Sequence, residues 1–299
     1  MLKSLYSNLK FIWLHPINKN QQISAIFIFL RWQIASRVFN KPIIHDWIED
    51  AKVVIRPSET GLTQNLYCGL HEFQDMSFVL HAVTESDFFV DIGANSGSYT
   101  ILACAVKGAR GSAFEPVPQT FKRLDLNCKI NDLMNRVSLH NLALGDEESQ
   151  LEFSISQDCT NHVLTKEEIG VIKSLKVSIK RIDDMVFESN PTFFKIDVEG
   201  FETKVIQGGM KSLLSDKVKA VLLELNGSGE KYGFNEDEIL KKMFDLGYKS
   251  YSYNPWLRKL ESLNGKCLTS GNTLFIRDLN TVSEIVRNSP KVSVKGVSI

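Results

Sequence analysis

Five carboxylates stand at or just beyond the ends of short apolar runs, where a buried strand hands its last residues to a ligand crevice. Asp91 follows Phe88-Phe89-Val90, and Glu115 follows Ala113-Phe114. Asp197 and Glu199 follow Phe193-Phe194-Lys195-Ile196, and Glu224 lies within AVLLEL (Ala220–Leu225). Carboxylates so placed can bind hydroxyl or ammonium groups, hold a hard cation, or take up a proton. The densest signal is FFVDIGANSGSYT (Phe88–Thr100), an apolar run, a turn of small residues, and then an apolar helix over Tyr99–Val106. Strand, glycine turn and helix together aim backbone N–H groups at a nucleotide-like ligand. Gly93 and Gly97 allow the tight turn and a close backbone approach.

The spacing is D-x-G-x-x-x-G rather than G-x-G-x-x-G. The dinucleotide fingerprint uses three glycines to seat a pyrophosphate, and this loop has two. It better suits a ligand without phosphates but with a cationic amino-acid end, for which Asp91 is the natural partner. S-adenosylmethionine fits that description. Glu115 ends the next strand about 20 residues further on and is stopped by Pro116, the place of a ribose-hydroxyl acceptor.

Methyl transfer from a sulfonium asks mainly for alignment of the acceptor. A hydroxyl acceptor gains from a general base or a metal. Asp197, Glu199 and Glu224 suit either purpose. An oxygen-only set matches magnesium or calcium rather than zinc, though the sequence itself requires no metal. Glu199 and Glu202 can equally be turn acids capping the next helix, and the same alternative is open, with less weight, to Asp197. His162, in Gln157–His162, is either a base under a loop that roofs the acceptor or an exposed loop histidine. His71 and His81 read as packing or surface residues, and Asn226, Ser228 and Tyr232 could meet an acceptor by following a strand.

Strands and helices alternate from Asp87 onward, which predicts an α/β fold with a doubly wound, mostly parallel sheet. The expected helices are Gln119–Asn131, Glu202–Leu214 and Glu236–Leu246. Ser149–Ile155 and Leu175–Arg181 alternate as an antiparallel excursion, while Tyr248–Tyr253 and Thr273–Arg277 close the sheet as a final hairpin. Residues 1–86 form an N-terminal α/β extension, 87–277 the nucleotide-binding domain, and 278–299 a short helix with a loosely held end. Gly61–Leu70 reads as turns and Glu72–Val83 as a helix.

Lys and Arg number 35, as do Asp and Glu, which gives no footprint for nucleic acid. The five scattered cysteines suggest free thiols in a reducing cytoplasm. Ile23–Leu30 is the longest apolar patch and too short to span a bilayer, which takes about 20 residues. It is either a helix packed on the main domain or a basic amphipathic helix on a membrane surface, peripheral to the inner membrane. No oligomeric state follows from the sequence.

Val90–Gly97 (VDIGANSG), Phe114-Glu115-Pro116, Asn141–Asp146 (NLALGD) and Lys195–Glu202 (KIDVEGFE) resemble, in order, the motifs of FkbM-type methyltransferases. The resemblance spans Asp87 to Ile276. It implies a class I, Rossmann-like S-adenosylmethionine-dependent fold acting on hydroxyl groups of sugars, glycans, lipid-linked intermediates or other natural products. By that resemblance Asp91, Gly93, Asn95 and Gly97 line the methionine end, and Glu115 holds the ribose. Asn141 and Ala143 lie near the adenine, and Asp197 and Glu199 face the acceptor. The loop around Asn161 departs from the family's more serine-rich version. The rival expectations are a nicotinamide-dependent oxidoreductase and a catalytically silent binding subunit of the same fold.

Overall fold

A computed structural model describes residues 2–57, 59, 61–155 and 160–299. The N-terminal stretch contains helices α1 (Leu2–Leu14) and α2 (Gln22–Phe39) and the antiparallel pair β1 (Ile43–Asp46) and β2 (Lys52–Ile55). Helices α3 (Gly61–Cys68) and α4 (Phe73–Ala82) follow. The expectation of turns over Gly61–Leu70 is therefore corrected. Leu62 and Tyr67 are buried there and Leu66 packs against them, and the helix ends at Gly69 in the left-handed region (φ 76°).

The central unit runs β3 (Phe88–Ile92), α5 (Ser98–Ile101), β4 (Arg110–Phe114), α6 (Pro118–Ile130) and β5 (Val137–His140). The chain then leaves the sheet for β6 (Ala143–Leu144), β7 (Ser149–Ser154) and β8 (Ser174–Lys180). These three form a separate small sheet in which β7 and β8 are antiparallel, as their alternation predicts. It returns as β9 (Phe193–Ile196), α7 (Glu202–Gly208), α8 (Met210–Leu214), β10 (Ala220–Glu224) and α9 (Glu236–Asp245). The sheet is completed by β11 (Lys249–Asn254), β12 (Lys259–Ser262) and β13 (Asn272–Ile276).

Among the described residues the main sheet has the order β12-β11-β13-β10-β9-β3-β4-β5. Strands β10, β9, β3, β4 and β5 pair in parallel, and β13 enters antiparallel between β10 and β11. This is the mostly parallel, doubly wound sheet with an antiparallel end that the alternation predicts. The order reverses between β3 and β9, and a ligand crevice opens beyond the strand ends at such a switch point.

One face of the sheet packs under the N-terminal helices, α4, α6 and α10 (Leu279–Asn288), and the other under α7, α8 and α9. The single helix expected over Glu202–Leu214 is broken at Gly208-Gly209. A Cβ on Gly208 would lie 1.8 Å from the carbonyl oxygen of Gly145, so the NLALGD turn presses directly on the helix there. The segment after α10 is not loose. Strands β14 (Ser293–Val294) and β15 (Val297–Ser298) form a hairpin that buries Val292, Val294 and Ile299 in the same core as the N-terminal helices. Cys68, Cys104, Cys128 and Cys267 are free and buried, and Cys159 lies outside the described residues.

Candidate active site

The parallel register lines up the chemistry. Asp91 pairs with Lys195 across β3 and β9, and Glu224 pairs with Asn272 across β10 and β13. Side chains two residues apart share a face. Hence Asp197 rises one row beyond Lys195 on the same face, toward the row of Glu224 and Asn272. Gly93 lies at the equivalent step beyond Asp91, and its missing side chain leaves room for the neighbouring strand end. A Cβ there would stand 1.7 Å from the Asp197 carbonyl oxygen.

These strand ends open into a cavity of about 260 Å³. Of the residues singled out in the sequence, Asp91, Gly93, Asn95, Glu115, Ala143, Asp197, Glu199 and Glu224 line it. His71, expected as a packing or surface residue, lines it too, whereas His81, Glu202, Asn226, Ser228, Tyr232, Gly97, Asn141 and His162 do not. Gly97 starts α5 in the left-handed region (φ 92°), facing Leu124. Asn141 braces the wall by donating from Nδ2 to the carbonyls of Glu115 and Pro116, each at 2.9 Å. His162 is buried rather than exposed, with Nδ1 2.9 Å from the Thr160 carbonyl and Nε2 3.2 Å from Glu168. Both its ring nitrogens are engaged away from the cavity. Gln157, Asp158 and Cys159 of that loop lie outside the described residues.

The glycine turn is held by its neighbours. The N–H groups of Gly93 and Ala94 both donate to the Phe114 carbonyl, tying the turn to the end of β4. Asp91 is buried and accepts from Thr100 Oγ1 at 2.6 Å, and burial pushes its carboxyl up to about 6. Glu115 accepts from the Asn95 and Val117 N–H groups at 3.1 and 2.9 Å. Burial outweighs those bonds and raises it to about 7. Each oxygen of Glu115 keeps a lone pair, so a fixed, two-pronged acceptor faces the cavity. Beyond it Phe114, Leu142, Ala143 and Phe153 supply an apolar wall. An acid at one end, a two-pronged acceptor in the middle and an apolar slot beyond fit the ammonium, ribose and ring of an S-adenosyl compound.

The second group of acids is denser. Asp197, Glu199 and Glu224 each offer an oxygen within 4.8 Å of the others. Burial, then the Asp197 charge, raises Glu199 to about 7. Burial and the neighbouring charges of Asp197 and Glu199 raise Glu224 further, and its Oε2 has no partner. The oxygen set is one that magnesium takes. Asp197, however, already accepts from the buried Lys195 Nζ at 2.7 Å, so a cation would have to compete with an ammonium. The group is better suited to handling protons than to a resident metal.

Lys195 is the centre of a network that sequence reasoning did not find. Burial alone would lower its pKa, but Asp197, Glu72 and Glu224 outweigh that and raise it. Its Nζ lies 4.9 Å from the centre of the Tyr99 ring. Tyr99 donates its hydroxyl to Glu72 at 2.8 Å, and Asn272 Nδ2 donates to Glu72 at 2.8 Å and to Asp75 at 3.2 Å. Asp75 is fully buried, which holds its carboxyl well above the usual range. The lysine in an otherwise apolar FFKI run was the available signal. Glu72, the residue before α4, and Asp75 in its first turn lie about 120 positions away and gave none.

Residue 199 sits in the left-handed region (φ 55°), followed by Gly200 (φ 101°). Glu202 latches this turn, accepting from the N–H groups of Val198 at 2.9 Å and Gly200 at 3.3 Å. It thus braces the turn ahead of α7 rather than capping the helix, whose N-cap Phe201 makes no side-chain cap bond. Glu202→Ala leaves both donors without that acceptor and is expected to cost about 2–3 kcal/mol, with Glu202→Gln recovering most of it. Urea melts of both variants check this, and equal stability of Glu202→Ala and the parent would remove the latch.

The methyltransferase FkbM domain family matches residues 91–250, more than half of the 299-residue chain. A hexuronic acid methyltransferase, AglP of Haloferax volcanii, is 30% identical over 154 residues. The match covers 50% of this chain and 59% of that protein. A precorrin-6y C5,15-methyltransferase from Geobacter metallireducens GS-15 shares 16% identity over 69% of this chain and 86% of its own, with a TM-score of 0.39. An O-methyltransferase from Thermotoga maritima shares 14% over 67% and 63%, with a TM-score of 0.38. With superpositions this loose, the fold rests on the strand order and the family match: the chain belongs to the FkbM methyltransferase family, and the domain around its glycine turn is a methyltransferase domain.

Proposed function

We propose that this protein is an S-adenosylmethionine-dependent O-methyltransferase acting on a hydroxyl of a sugar, as a free glycan, a lipid-linked intermediate or another glycosylated product. One observation carries the reading: the glycine turn with Asp91 and Glu115 opens into the same cavity as Asp197, Glu199 and Glu224. The hexuronic acid relative supports a sugar acceptor.

S-adenosylmethionine, when bound, supplies a methyl group already activated for transfer. The chain's residues do the rest. Asp91 pairs with the ammonium, Glu115 accepts from the ribose hydroxyls, and Phe114, Leu142 and Ala143 flank the ring. Glu199, poised near neutrality, takes the acceptor proton at its carboxylate, while Asp197 and Glu224 orient the hydroxyl. Lys195 holds the Asp197 carboxylate in place through its 2.7 Å contact. Gly61, Leu62 and Glu72 line the cavity from the N-terminal side.

The raised carboxyls give this reading a pH signature. Asp91 and Glu115 have folded-state pKa values above their ordinary ones, so burial favours their neutral forms. That contribution is fully present below about pH 4 and is lost as pH rises through 6 to 7, on the order of a few kcal/mol in all. The ligand-free protein should therefore melt at lower temperature at pH 8 than at pH 5. An ammonium beside Asp91 favours its ionised form, so binding S-adenosylhomocysteine near pH 6 should release protons. Calorimetry in buffers of differing ionisation enthalpy reads this directly, with NAD titrated alongside. Asp91→Ala should lower the proton release, leaving the share due to Glu115, and weaken binding about ten- to a hundredfold. Binding of NAD alone would replace this reading with the oxidoreductase, and binding of neither ligand would leave the silent subunit.

A further inference from the structure

Helix α2 is apolar on two opposite sides. Ala25, Phe29 and Trp32 are buried toward the core. On the other side Ile23, Phe27, Leu30, Ile34 and Val38 follow a spacing of four, three, four and four, which keeps them within about 80° of one helix face. They are 48–79% exposed. Arg31 and Arg37 fall on either edge of this stripe by the same periodicity. On α1, Tyr6 and Trp13 lie seven residues apart and are also exposed, with Lys10 between them.

The charge around these helices is one-sided. Six of the 35 Lys and Arg, and none of the 35 Asp and Glu, fall in residues 1–45. The remaining 254 residues therefore carry a formal excess of six acids. Among the described residues no helix is long and apolar enough to cross a membrane.

We propose that the α1–α2 pair is the docking surface of this protein for an anionic lipid bilayer, with α2 lying in the interface along its outer stripe. The apolar stripe enters the acyl boundary, Arg31 and Arg37 meet headgroup phosphates, and Tyr6 and Trp13 sit at the level where amphipathic aromatics are favoured. A second copy of the chain is the poorer occupant. A twofold contact would bring the same patch against itself, arginine rim against arginine rim, without a carboxylate in residues 1–45 to offset them. The proposal does not depend on the methyl-transfer reading, since it concerns where the protein rests and not what it transforms.

The test is sedimentation of the full chain with vesicles rich in phosphatidylglycerol, compared with vesicles of phosphatidylcholine alone. Binding is expected to the first and not to the second, and to fall as salt is raised. Phe27→Glu combined with Ile34→Glu should lower partitioning at least about tenfold, as should Arg31→Glu combined with Arg37→Glu. Both pairs are on the exposed side, so circular dichroism should be unchanged. Leu268→Glu, an equally exposed apolar site elsewhere, should bind like the parent. Loss of binding in Leu268→Glu as well would overturn the proposal. So would absence of vesicle binding by the parent, whether it is monomeric or forms a dimer that Phe27→Glu and Ile34→Glu dissociate.

Discussion

Gly93→Ala is expected to weaken S-adenosylhomocysteine binding by at least about a hundredfold, the loss that some 3 kcal/mol of misfit produces. The position has φ 79°, where a side chain costs about 1–2 kcal/mol by itself. The larger cost is the contact. The new methyl would meet the Asp197 carbonyl oxygen at 1.7 Å and its carbonyl carbon at 2.8 Å. These are backbone atoms, held by the Asp197 N–H bond to Ile92 at 3.0 Å, so they yield only if β3 and β9 part. Parting them moves the cofactor turn and the acceptor acids together. Gly97→Ala provides the control. It shares the left-handed conformation (φ 92°), but its Cβ would crowd only the Cδ1 of Leu124 at 2.6 Å, the end of a side chain rather than backbone. That variant should lose about tenfold or less. Comparable affinities for the two variants, measured by calorimetry on proteins with intact circular dichroism, would show that the Gly93 turn does not form the binding surface.

Asp197→Asn should divide the two halves of the cavity. The amide can still accept from Lys195 but carries no charge, so turnover should fall about a hundredfold or more. S-adenosylhomocysteine affinity should change little, because Asp91 and Glu115 are untouched. Single-turnover methyl transfer to a sugar acceptor, set beside calorimetric affinity, separates these effects. Equal losses in both would move Asp197 from the acceptor to the cofactor end. A fall in melting temperature with turnover intact would reduce it to a partner for the buried lysine.

The parts of this fold that could be read from the sequence are those specified locally. FFVDI and FFKI are buried strands because their apolar residues run with hardly any alternation, RGSAF was marked by its Glu115-Pro116 end, and the glycine turn follows from residue type and spacing. The cofactor-side acids were legible for the same reason, each one ending a strand. Register was not. Nothing local says that Asp197 and Glu224 meet across β9 and β10, or that Lys195 faces Asp91. Glu72 was invisible, because its role depends on a helix laid across the sheet by tertiary packing. His162 misled in the opposite way: a polar loop suggests exposure, but Thr160 and Glu168 hold the ring inside. The end after α10 looked loose because it is short and carries small and polar residues, and its three buried apolar side chains have meaning only against the N-terminal helices.

That last contact ties the end after α10 to the cavity. Lys295 donates to the Tyr67 carbonyl at 2.6 Å across 228 positions, and Gln21 Nε2 donates to the Lys295 carbonyl across 274. Tyr67 belongs to α3, whose first turn lines the cavity. The hairpin therefore braces the end of α3 from more than 220 positions away, beside the packing of α3 on the N-terminal helices. Disturbing the β14–β15 hairpin should therefore register in the cavity some 230 positions upstream.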